Sequence, residues 1–92
     1  MSHDEHHAMS TKEKLIYMAN QIAAFFEAMP HDEGAAGVAK HINDFWDPLM
    51  RRQFFEIVEA GGKGLSPLVL DAAPKIRRPA PPEPLPGGKV GA

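Results

Sequence analysis

Cysteine is absent from all 92 residues, so this chain can form neither a disulfide nor a thiolate-held metal or cluster. Long apolar runs are missing as well. None approaches the ~20 residues of a membrane span, and no signal-peptide pattern opens the chain. Basic charge is in deficit: ten Lys and Arg against twelve Asp and Glu leave a formal charge of −2. That is the wrong sign for a general nucleic-acid binder. Aromatics are few, with one Trp, one Tyr and five Phe. These absences point to a soluble, cytoplasmic chain that handles neither membrane nor nucleic acid.

What is present is unevenly spread. Residues 1–9, "MSHDEHHAM", are polar and aperiodic and read as a flexible arm, with Met9-Ser10 as a second start. From Pro74 the chain reads "PKIRRPAPPEPLPGGKVGA", with six of the nine prolines and three of the eight glycines. Such a stretch supports no regular helix or sheet, so residues 74–92 are expected to form an extended, polyproline-like tail. The domain is placed at residues 10–73. A core of about 60 to 65 residues without a staple rarely supplies more than ~3–5 kcal/mol, which favours a chain with a partner.

The central region predicts an all-α fold, a small bundle of three to four helices. Ser10 and Glu13 have the spacing of a capping box. Behind them Leu15, Met18, Ala19, Ile22, Ala23, Phe25, Phe26 and Met29 share one side of a helical wheel, and Pro30 stops the helix near Met29. A second helix is expected from an Asp32 N-cap, with Ala35, Val38, Ala39, Ile42, Phe45 and Trp46 inward. Ala35 and Ala39 are small enough for close helix approach, and Gly34 and Gly37 each weaken the helix by up to ~1 kcal/mol. Asp47-Pro48 then serves as a cap-and-proline start for a third helix, which packs through Met50, Phe54, Ile57 and Val58. Gly61-Gly62 ends it. Ser66-Pro67 repeats the device before a short fourth helix, Leu68 to about Ala73. No sustained alternation of period two supports strands.

Catalytic chemistry finds little support. His3, His6 and His7 have metal-binding side chains but no supporting shell. "GGKG" at 61–64 lacks the phosphate-loop pattern and a preceding strand. His41 and Asp44 lie one turn apart on a polar helix face, without a nucleophile or an oxyanion-hole motif. The segment "HINDFWDPLMRRQFF", residues 41–55, is different: it gathers Trp46 and three Phe around two arginines. The four rings read first as core, but adjacent helical residues point about 100° apart, so each of the pairs Phe45-Trp46 and Phe54-Phe55 widens the arc that a bundle of about 60 residues must cover. Some of these rings should be exposed, and exposed apolar patches mark interaction surfaces.

Three stretches, "KLIYMANQIAAFF" (14–26), "VAKHINDFWDPLMRRQ" (38–53) and "GLSPLVLDA" (64–72), resemble the delta subunit of cytoplasmic NAD-dependent formate dehydrogenases. The resemblance implies a non-catalytic accessory subunit that supports assembly, cofactor loading or stability. It implies no cofactor on this chain. The molybdenum or tungsten bis-pterin cofactor and iron–sulfur clusters would sit on a large alpha subunit, with FMN, further clusters and the NAD site on beta and gamma subunits. The family's position after Asp-Pro is associated with a basic residue, whereas Leu49 stands here. On this reading Tyr17, Phe45, Trp46, Leu49, Arg51, Arg52, Phe55 and Leu65 are expected at the interface with the alpha subunit. Trp46 and Phe45 would be its apolar anchors, and the arginines would supply orienting contacts. A transient maturation chaperone is the nearest alternative. A small helix-turn-helix regulator is a more distant one.

Overall fold

The computed structural model describes residues 9–79. The polar arm with His3, His6 and His7, and most of the proline-rich tail, lie outside the described residues. Four helices follow in order: α1 (Thr11–Phe26), α2 (His31–Phe45), α3 (Pro48–Glu59) and α4 (Pro67–Ala72). A 3-10 turn, Ala73–Lys75, continues α4. The described residues contain no strand, so the all-α expectation holds.

Local chemistry sets three of the four starts. Ser10 Oγ accepts from the Glu13 N–H at 3.1 Å, and the Ser10 N–H donates to the Glu13 carboxylate at 2.9 Å. Asp47 Oδ1 accepts from the Met50 N–H at 2.8 Å. Ser66 Oγ accepts from the Val69 N–H at 3.4 Å. Helix α2 departs from expectation: it begins at His31, and its N-cap is Pro30, which has no side-chain bond to give. Pro30 arrives extended and its carbonyl already accepts from Gly34 at 2.8 Å. Asp32 is therefore inside the first turn, where its charge meets the helix dipole. Helix α1 stops at Phe26, short of the expected Met29, because residues 27–29 turn the chain before the proline.

Tertiary packing follows from small residues. A Cβ on Gly34 would lie 2.8 Å from the Phe26 carbonyl oxygen. The Phe26 ring covers Gly37 in the same way. Closest approach of α1 and α2 thus falls at the two glycines, while Ala35 and Ala39 face the core. Helix α4 lies against α2, and α3 packs on α1. Phe54, Ile42, Val38 and Val69 are the largest wholly buried side chains. Helix α3 ends in a Schellman motif, with Gly61 N–H on the Val58 carbonyl and Gly62 N–H on that of Ile57. Gly61 and Gly62 hold φ of 119° and 70°, which an L side chain resists.

The packed unit does not end at Ala73, where the sequence placed its edge. Ile76 is 4% exposed, and the Arg77 N–H donates to Asn43 Oδ1 at 2.8 Å. The burial of Ile76 and the bonds of Asn43 to the backbone of Lys75 and Arg77 hold this stretch against α2.

Candidate docking surface

Phe25 and Phe26 are adjacent, so only one of them can face α2. Phe26 takes that place over Gly37. Phe25 is left 73% exposed, edge-on to the Phe26 ring at 5.0 Å. The same rule acts at the end of α2. Trp46 leaves the helix in an extended conformation and turns its indole inward, T-shaped against Phe54 at 6.0 Å. Phe45, still helical, is left 72% exposed. Its ring lies 4.8 Å from that of His41, tilted by 40°. Between the two helices Ile22, Phe25, Phe26 and His41 line a shallow depression of about 260 Å³. Met18, Ile22 and Phe25 recur at helical spacing along the outer edge of α1, and Met18 is exposed too. The α1–α2 face is thus an apolar and aromatic strip with a concave middle.

The expected interface residues separate into groups. Phe45 lies on this face. Tyr17 is exposed on α1, and Leu49 is exposed at the start of α3. Trp46, Phe55 and Leu65, expected at the interface, lie in the core of this chain: Trp46 is 5% exposed, and the other two are likewise buried. All three belong to the hydrophobic core cluster. Arg51 is half-buried and turned inward. Its Nη1 donates to the Arg77 carbonyl at 2.7 Å and its Nε to the Trp46 carbonyl at 3.4 Å. Arg52 is half-buried. The sequence placed Phe25 on the core face, yet the adjacency that exposes it was readable there.

Polar groups near the surface serve structure. Lys40 holds Asp44 at 2.8 Å, one turn along α2. That hydrogen bond outweighs the opposing effect of desolvation and, with the nearby charges of Lys40, Arg77 and His41, keeps the Asp44 carboxyl below its ordinary value. His31 meets Asp71 at 2.6 Å, tying α2 to α4. Among the described residues no three His, Cys, Asp or Glu side chains converge to hold a metal, and no helix is long and apolar enough to cross a membrane.

No curated protein matches this chain. The model of one family, described as the NADH-dependent formate dehydrogenase delta subunit FdsD, matches residues 14–73, which take in all but the first turn of the four-helix body. The chain belongs to the FdsD family of formate dehydrogenase delta subunits.

Proposed function

We propose that this chain is a non-catalytic, cytoplasmic accessory subunit of an NAD-dependent formate dehydrogenase, docking through its α1–α2 face on the large molybdenum- or tungsten-containing alpha subunit. Formate oxidation and the bis-pterin, iron–sulfur, FMN and NAD sites belong on this reading to alpha, beta and gamma subunits. The delta chain supports assembly, cofactor loading or stability. The observation that carries the docking is the joint exposure of Phe25 and Phe45 on one face, within the span matched by the family. Aromatic anchors beside a shallow depression are the composition of interface hot spots. Of the residues first expected at the interface, Phe45 remains its centre, with Leu49, Tyr17 and Arg52 at outlying positions.

Native affinity purification of the tagged chain, with mass spectrometry and metal analysis of the eluate, tests the reading. A large molybdenum- or tungsten-containing dehydrogenase should co-elute in stoichiometric amount. Sub-stoichiometric recovery would instead mark a chaperone that leaves, and a lone monomer would remove the subunit reading altogether. Phe25→Ala with Phe45→Ala should weaken the association by at least ~2 kcal/mol, the loss expected at an anchor. Unchanged recovery of that double variant would move the docking site elsewhere.

A further inference from the structure

Lys40, Asn43 and Asp44 on α2 line a second shallow depression, of about 340 Å³, together with Lys75 and Arg77 from beyond α4. It holds three cations and one carboxylate, in a chain whose formal charge is −2. That carboxylate is already engaged, since Lys40 holds Asp44 at 2.8 Å. Lys75 and Arg77 are exposed, and among the described residues neither pairs with an acidic side chain. The Arg77 guanidinium reaches the Asn43 carbonyl at 3.4 Å. The backbone that carries these two cations is fixed. The Arg77 N–H donates to Asn43 Oδ1 at 2.8 Å, the Arg77 carbonyl accepts from Arg51 Nη1 at 2.7 Å, and Asn43 Nδ2 donates to the Lys75 carbonyl at 3.3 Å. Ile76, between them in sequence, is buried.

We propose that this basic basin is the charged rim of the docking face, and that it receives the carboxylates of an acidic segment of the alpha subunit; this rests on the subunit reading above. Three observations carry it. The first is charge: a positive region on an acidic chain favours an anionic partner surface and disfavours a basic one, and the anions of a protein surface are Asp and Glu. A guanidinium takes a carboxylate through two parallel bonds. The second is continuity with the apolar face. Asp44 feels the charges of both His41 and Arg77, and His41 lines the apolar depression beside Phe45. Basin and apolar face are thus neighbouring sides of one helix, and an apolar centre with a polar rim is how protein interfaces are built. The third is preorganisation: two cations on an anchored main chain lose less freedom on binding than cations on a free segment. The orienting part expected of Arg51 and Arg52 falls here to Lys75 and Arg77, because Arg51 uses its guanidinium to hold the Arg77 carbonyl.

The full chain tests this by its association and dissociation rates with the purified alpha–beta–gamma dehydrogenase, followed as salt is raised. Lys75 and Arg77 are tied into the fold by main-chain groups, so changes to their side chains leave those bonds in place. The unmodified chain should associate more slowly as salt rises, because exposed charges are screened. Lys75→Glu and Arg77→Glu should each slow association severalfold at low salt, and about tenfold together. Dissociation should change much less, and the salt dependence should flatten. Arg77→Ala, which sets no new charge beside Asp44, should act in the same direction to a smaller extent. Lys63→Glu, in the loop before α4, alters the net charge as much as either single reversal and should leave association near the unmodified rate. Association indifferent to salt, equal slowing by Lys63→Glu, or faster association of the reversed variants would overturn the acidic segment as occupant. Failure of the unmodified chain to bind the dehydrogenase at all would overturn the subunit reading, and the basin's partner with it.

Discussion

Asn20 falls on the polar side of α1 in any helical wheel, yet it fastens the helix to the loop before α4. Its Nδ2 donates to the Gly64 carbonyl at 2.8 Å, and its Oδ1 accepts from the Ser66 N–H at 2.8 Å. Two such bonds contribute about 1–3 kcal/mol together. Asn20→Ala should lower the unfolding free energy by that amount in urea titrations, and a loss below about 0.5 kcal/mol would show that water replaces both bonds equally well. Asp44 makes a smaller, electrostatic case. Its folded carboxyl titrates below the ordinary value of 3.8. Its contribution is therefore complete above the unfolded range and lost as pH falls through the folded midpoint. An NMR titration should place that midpoint below the ordinary value, and Lys40→Ala should bring it back up.

Helix α2 is the element on which the packing of α1 and α4 depends. By propensity alone Gly34→Ala would stabilise it by up to ~1 kcal/mol. Tertiary contact reverses the sign. The added Cβ would meet the Phe26 carbonyl oxygen at 2.8 Å and the Leu68 methyl groups at 3.5–3.6 Å. A backbone oxygen cannot swing aside as a side chain can, so α1 and α2 must separate. A net loss of about 1–3 kcal/mol is expected in thermal or chemical unfolding, the usual range for overpacking. A more stable variant would mean that the helices are less tightly apposed than these distances indicate.

For the molecule as a whole, the aromatics fall into an inner and an outer set with opposite roles. Trp46, Phe54 and Phe55 form a chain of edge-to-face contacts in the core, so truncating wholly buried Phe54 should cost about 3–5 kcal/mol. That is much of what so small a domain possesses. Phe25 and Phe45 are mostly exposed. Substituting both with Ala should leave the isolated chain's stability within about 0.5 kcal/mol, as for other surface changes. The association with the dehydrogenase should fall at the same time. Circular dichroism melts run beside binding assays separate the two effects, and a large loss of stability in the double variant would return both rings to the core.

The four helices, the capping box at Ser10, the Asp47-Pro48 and Ser66-Pro67 starts and the glycine stop were all legible in the sequence. Each depends on residues within a few positions of one another, and such local chemistry is written in order along the chain. The excess of aromatic side chains over what a small core can cover was legible too. Which rings are exposed was not. The wheel gave Phe25 to the core, because it cannot know that Gly37 leaves room for Phe26 alone. It gave Phe45 and Trp46 alike to the inward face of α2, because the rotation of one residue out of the helical register at the end of α2 leaves no trace in periodicity. The capture of Arg77 by Asn43 and Arg51, across 34 and 26 positions, likewise exists only once the helices have packed. Sequence determined the elements and the surplus of apolar surface, and tertiary packing decided on which face that surplus stands, because burial depends on neighbours that lie far apart along the chain.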